Sequence, residues 1–190
     1  MCYYFFMKNI LILHGTDNTS QKNWIPWLKM ELKKRGYKVF TPDLPHADKP
    51  NIERYNKFIF SQWIFDKDSI VVGHSSGAVA ILGLLEKLPT DTIIDKAILV
   101  AGFIDDLDYE PVKDMFVKPF DYQRIKTQSK GFTFFHSEND PFVPLWHGEK
   151  LQDVLGGELV VMKGQAHFST TTYPGDKYLQ FPQLLEKILE

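Results

Sequence analysis

The chain has one cysteine in 190 residues, Cys2, so it can form no internal disulfide and no cysteine-based zinc site. A reducing compartment fits, and the cytoplasm is the expected location. An excess of either charge is missing too: 22 lysines and arginines against 24 acids give a net charge of −2, with the basic residues dispersed. That removes the electrostatic footprint of a nucleic-acid binder. The opening Met1-Cys2-Tyr3-Tyr4-Phe5-Phe6-Met7 is apolar but shorter than a signal-peptide core or a membrane span, so no membrane association is expected. Residues 1–6 read as a dispensable extension. Repeats, linkers and low-complexity blocks are also lacking, which leaves residues 1–190 as a single expected domain.

What is present is a globular balance, 44% hydrophobic and 24% charged, enough for one core without staples. Short apolar runs recur: Lys8 to Leu13, Tyr37 to Phe40, Ser69 to Val72, Lys96 to Gly102, Gly131 to His136 and Glu158 to Met162. Continuous rather than alternating hydrophobicity marks strands buried on both faces. Between them lie segments at helical spacing. Trp24, Ile25, Trp27, Leu28 and Leu32 form one, stopped at Gly36, and Trp24 and Trp27 are expected to pack in the core. Tyr55, Phe58, Ile59 and Ile64 share a face in a second over 51–65, and Ala78 to Leu88 is apolar on most sides. Further helices are expected over about 146–155 and 178–189, with short helices and loops over 103–130. Strands alternating with helices of this length give an α/β fold with a mostly parallel sheet of about six strands between two helical layers.

The sharpest local pattern is Val71-Val72-Gly73-His74-Ser75-Ser76-Gly77-Ala78, a strand running through Gly-x-Ser-x-Gly into a helix. A serine on such a turn is held with its hydroxyl clear of the sheet edge. Alternatively, Ser75 or Ser76 simply caps the helix. The other strand ends bear on the choice. The third strand delivers Ser75, the fifth Ser137-Glu138-Asn139-Asp140 and the sixth Gly164-Gln165-Ala166-His167. A serine hydroxyl is a weak nucleophile until an imidazole takes its proton, and the imidazolium needs a fixed carboxylate. His167 would be the base and Asp140 its orienter. The oxyanion would take backbone N–H donors from Ser76 and Thr16.

Six histidines compete for the base. His14 is followed by glycine, which suggests that its backbone matters more than its ring. His74 diverges from the serine at the turn and His136 lies within a strand, so both read as packing residues. Surface solvation accounts for His46 and His147. His167 sits in a small flexible loop after the last strand. Asp105, Asp106 and Asp108 are rivals for the acid, but Pro141 to Pro144 fix the loop after Asp140 and turn its carboxylate towards the sheet.

The order serine, acid, histidine is that of α/β-hydrolases. The chain resembles the small serine hydrolases typified by retinoblastoma-binding protein nine and its bacterial relatives. The motifs carrying the likeness are His14-Gly15-Thr16, Trp24-x-x-Trp27-Leu28, Gly73-His74-Ser75-Ser76-Gly77, Val100-Ala101-Gly102-Phe103, Ser137-x-x-Asp140-x-x-Val143-Pro144 and Gly164-x-x-His167-Phe168. The resemblance implies a minimal three-layer hydrolase without a large lid and a triad of Ser75, Asp140 and His167. A Leu-x-Cys-x-Glu ligand for the retinoblastoma pocket is absent, so that partner is not carried over. The expected activity is cleavage of a carboxylic ester, with a thioester or amide as the alternative, on a small acyl substrate. No metal or organic cofactor is required, and a monomer or weak homodimer is expected. The competing expectations are a catalytically silent binding or scaffold protein, and haloperoxidase- or lyase-type chemistry on the same fold.

Overall fold

The structure, a computed structural model, describes residues 8–173 and 175–190. The extension expected at residues 1–6 lies outside the described residues. Six strands form one parallel sheet: β1 (Asn9–Leu13), β2 (Lys38–Phe40), β3 (Ser69–His74), β4 (Lys96–Val100), β5 (Phe132–Ser137) and β6 (Glu158–Met162). They are ordered β2-β1-β3-β4-β5-β6, with Leu11 opposite Val71, Val72 opposite Ile98 and Leu99 opposite Phe134. Burial on both faces is what the unbroken apolar runs require. Leu11, Leu13, Val71, Leu99 and Phe134 point into one core, whereas Ile10, Ile12, Val72, Ile98 and Phe135 point into the other. The edge strands are more polar, with Lys38 and Glu158 exposed, which discourages edge-to-edge pairing.

Helices α2 (Ile52–Phe60), α3 (Ser76–Lys87), α4 (Tyr122–Lys126) and α5 (Trp146–Leu155) cover the first core, and α1 (Ile25–Lys34) and α6 (Pro182–Leu189) the second. Ser76 to Leu85 of α3 are all buried, as its lack of a polar stripe implies. Strand order reverses at β1: the chain leaves it for β2 on one side and returns as β3 on the other. The loops after β1 and β3 therefore diverge around a crevice at the carboxyl edge of the sheet, the usual ligand position in open parallel sheets.

Two helical expectations are corrected. The helix over 51–65 ends at Phe60, where Gln62 and Trp63 fold their N–H groups back onto the Ile59 carbonyl. Ile64 is left 87% exposed, while Trp63 and Phe65 turn inward. The last helix does not run unbroken from Tyr178. A short 3-10 turn covers Lys177–Leu179, and α6 starts afresh at Pro182, because a proline keeps the preceding residue, Phe181, out of helical backbone. Trp24 is fully buried as expected, but Trp27 only half-buried at the edge of the second core. The 103–130 segment does consist of short helices and loops.

Candidate active site

The turn after β3 is built by close approach. A Cβ on Gly73 would stand 2.5 Å from the Gly77 carbonyl oxygen, and one on Gly77 would stand 2.4 Å from that of His14. Only glycine at both places lets strand, turn and helix cross so tightly. Between them Ser75 has φ 56 and ψ −125, a conformation costly for a residue with a Cβ. Its N–H donates to Val100 O of β4 at 2.9 Å, and its own carbonyl accepts the first bonds of α3. Neither Ser75 nor Ser76 caps the helix through its side chain. The Ser75 hydroxyl is left free by the hydrogen-bond network of the described residues, whereas Ser76 Oγ accepts from Thr16 Oγ1 at 2.9 Å.

Asp140 and His167, 27 residues apart, meet at 2.8 Å through Oδ2 and Nδ1. The carboxylate side chain is 1% exposed. Its other oxygen accepts the N–H groups of Phe142 and Val143 at 2.9 and 3.0 Å, a turn that Pro141 makes rigid. Asp105 and Asp106 accept from the backbone of Leu107 and Asp108 instead. Of the four candidate acids, Asp140 is the one on the histidine. Because Nδ1 is engaged, His167 presents Nε2 as its remaining nitrogen.

The loop carrying His167 is strained and heavily tied. Ala166 and Phe168, on either side of it, have φ 48 and 52. Ser137 Oγ accepts from Gln165 N, Asn139 Oδ1 from Ala166 N and Thr172 Oγ1 from His167 N. Trp24 Nε1 donates to Phe168 O at 3.2 Å, and Asn23 Oδ1 accepts from Thr170. Ser137, Asn139, Asn23 and Thr172 were not among the residues expected at the site. Only Ser137 belonged to a recognisable motif; Asn139 and Asn23 act across gaps of 27 and 147 residues that leave no local periodicity, and Thr172 reaches back only five residues, to His167 N.

The remaining histidines divide. His46 is exposed and His136 buried, as expected. His147, by contrast, is 1% exposed, with Nδ1 facing Ile104 N at 3.4 Å, so it is no solvated surface group. The ring of His14 also matters: Nε2 accepts from Leu44 N at 2.8 Å and Nδ1 donates to Gly15 O at 2.9 Å. This neutral tautomer ties the loop after β1 to the loop after β2, and burial lowers the His14 pKa accordingly. His74 donates from Nε2 to the His167 carbonyl at 2.8 Å.

A cavity of about 500 Å³ opens over these groups, lined by Gly15, Thr16, His74 and His167 with Tyr109 and Phe142 as aromatic walls. In the 103–120 segment Phe103, Phe116 and Phe120 complete the core while Tyr109 faces the cavity.

This geometry accompanies a match to the serine hydrolase family over residues 10–185. The chain belongs to the serine hydrolase family. As a serine hydrolase it is an enzyme, and its sheet is that of the α/β-hydrolases. Among curated relatives, YdeN of Bacillus subtilis (strain 168) is 29% identical over 163 residues, covering 85% of this chain and 86% of YdeN. Serine hydrolase RBBP9 of Rattus norvegicus is 24% identical over 163 residues, covering 84% and 86%. The crystal structure of the B. subtilis ydeN gene product superimposes with a TM-score of 0.88 at 25% identity, over 96% of this serine hydrolase and 97% of that chain. Est1E from Butyrivibrio proteoclasticus, with ferulic acid bound, shares the fold at a TM-score of 0.70 and 15% identity, covering 95% and 86%. Among the described residues no helix is long and apolar enough to cross a membrane, and no cluster of His, Cys, Asp or Glu could hold a metal ion.

Proposed function

We propose that this serine hydrolase cleaves a carboxylic ester through an acyl-enzyme on Ser75, with His167 as general base, Asp140 as its orienter, and the backbone N–H groups of Ser76 and Thr16 as oxyanion donors. The observation that carries the reading is the 2.8 Å contact of His167 Nδ1 with an Asp140 carboxylate that is itself buried and held by two N–H groups. A carboxylate so fixed holds one imidazole tautomer, Nδ1–H, and leaves the Nε2 lone pair to take a proton.

In the first half-reaction Ser75 Oγ attacks the substrate carbonyl carbon as its proton passes to His167 Nε2. The carbonyl oxygen becomes the oxyanion. Collapse breaks the bond to the leaving alkoxide, which takes the proton from Nε2, and the acyl group remains on Ser75. Water then repeats the sequence, releasing a carboxylic acid and the serine hydroxyl. The Thr16–Ser76 hydroxyl contact at 2.9 Å holds the two donor-bearing segments together. That Ser75 Oγ is unbonded before substrate arrives is compatible with this role, since catalytic hydrogen bonds commonly tighten only in the substrate complex. A thioester or an amide would pass through the same cycle, and the scheme needs no metal or organic cofactor.

The test is labelling by a fluorophosphonate together with turnover of short p-nitrophenyl esters. Native protein is expected to be labelled and active, and Ser75→Ala neither. A native protein that is not labelled would leave a binding role on this fold, and triad-dependent turnover without ester hydrolysis would point to haloperoxidase- or lyase-type chemistry.

A further inference from the structure

His74 occupies the last position of β3, and the next residue is Ser75. One strand end therefore carries the proposed nucleophile and also touches the proposed base from below. His74 Nε2 lies 2.8 Å from the His167 carbonyl oxygen, and the two rings are 4.9 Å apart. Nothing in the role of Ser75 demands a histidine beside it. An apolar residue would fill the same space against Trp24, whose ring meets His74 edge-on at 6.0 Å.

The His167 carbonyl is a place where a tie has consequences. The peptide units on both sides of it belong to residues in the left-handed region, Ala166 and Phe168, each costing on the order of 1–2 kcal/mol for a residue with a Cβ. Such a backbone persists only where the surroundings over-determine it. Most of the ties described above act on N–H groups or on Phe168 O; the His167 carbonyl itself is held by His74. Asp140 fixes the ring's direction through Nδ1, but a ring whose backbone can rock still changes its distance to Ser75.

We propose that His74 is a positioning residue for the base: by donating to the His167 carbonyl it couples the strained histidine loop to the same strand end that presents Ser75. The inference rests on the hydrolase reading above. The donor remains uncharged in this setting. The groups acting on it are His167, Asp140 and His14, and burial with the neighbouring His167 pushes its imidazole down to about 3. A neutral His74 places no positive charge beside the imidazolium that His167 becomes during turnover.

Two variants separate this role from core packing. His74→Phe keeps volume and burial but removes the donor, whereas His74→Gln supplies an amide N–H close to where Nε2 stood. Both are compared with native protein for kcat and KM on p-nitrophenyl acetate, for the fluorophosphonate labelling rate, and for the thermal midpoint. In folded His74→Phe, kcat and the labelling rate are expected to fall about 10- to 100-fold, the scale of a small misplacement of a reacting group, with KM within about twofold. His74→Gln is expected to recover at least half of that loss on a logarithmic scale. Native-like kcat in folded His74→Phe overturns the proposal, as does a folded His74→Gln no faster than His74→Phe. Should His74→Phe not fold, His74→Gln is read alone: kcat above about a tenth of native supports the role, and a lower value at an unchanged midpoint overturns it. Native protein that resists labelling overturns the hydrolase reading and this one with it, whereas labelled native protein with unaffected variants overturns this one alone.

Discussion

The carbonyl oxygen of His14 lies directly over Gly77, 2.4 Å from where a Cβ would be, and that of Leu13 is 2.7 Å away. These are backbone atoms of the last residue of β1 and of the residue directly after it, so they cannot step aside as a flexible side chain can. Gly77→Ala is expected to cost about 3 kcal/mol of stability, at the upper end for overpacking, and to lower ester turnover in whatever protein remains folded, because the displaced segment leads into Gly15 and Thr16. Gly131, with open space around it, supplies the control: Gly131→Ala is expected to leave the thermal midpoint within a few degrees. Equal midpoints for the two variants would refute the close-contact argument.

Ser75 sits in backbone that a Cβ makes costly, φ 56 with ψ −125. Within a helix alanine is more stabilising than glycine, since glycine loses more freedom on folding, but Ser75 stands at the N-cap of α3, where glycine is already the better of the two. The left-handed backbone is expected to widen that preference. Ser75→Gly should be at least as stable as Ser75→Ala, by roughly 0.5–1 kcal/mol once the relief of left-handed strain offsets the entropy. Chemical denaturation of the two variants decides it, and Ser75→Ala clearly ahead would remove strain from the account.

The sheet was legible because both faces of a central parallel strand are buried: Lys8 to Leu13 and Ser69 to Val72 have no polar alternation to mislead. The pairing of Asp140 with His167 was legible for a different reason, from an acid and a histidine in the loops at strand ends near a proline or a glycine. What failed was whatever depends on distant partners. Ile64 fits the helical period of Tyr55 and Ile59, yet the chain turns at Ser61 and leaves it in solvent. The rings of His14 and His147 are buried by loops 30 and 43 residues away in sequence. Local pattern carries no trace of that, just as nothing near Asn139 announces that its side chain will hold Ala166.

Asp140 uses its two oxygens for different tasks, and two substitutions separate them. Asp140→Asn keeps an acceptor for the Phe142 and Val143 N–H groups while removing the charge behind His167. It is expected to fold with little loss of stability while kcat drops about 10³- to 10⁴-fold, the scale of losing the orienting carboxylate in a triad. Asp140→Ala loses the turn as well, and should be less stable than Asp140→Asn by about 1–2 kcal/mol. Should Asp140→Asn retain more than a tenth of native kcat, the acid must be sought elsewhere, with Asp105, Asp106 and Asp108 as the first substitutions to make.

Acid sensitivity between pH 7 and pH 5 follows from buried histidines. Burial lowers the pKa of His14, His74, His136 and His147, to about 3 for His74 and about 4 for His136. Each group is then neutral in the folded chain at a pH where the unfolded chain, near the ordinary value of about 6.5, is already protonated. Between those values the unfolded state binds more protons, so stability rises with pH. The contribution is fully present above about pH 6.5 and is lost as pH falls towards the depressed folded values. His136 isolates the effect, because it is fully buried in β5 and, among the described residues, neither ring nitrogen has a hydrogen-bond partner. His136→Phe, close in shape, removes a group that opposes folding in acid. It is expected to gain about 2 kcal/mol on the native protein between pH 7 and pH 5, read as a shallower fall in urea midpoints across that range. Parallel pH dependence in the two proteins would mean that His136 is protonated to the same extent folded and unfolded, and the acid limb would then have to be sought in the other three.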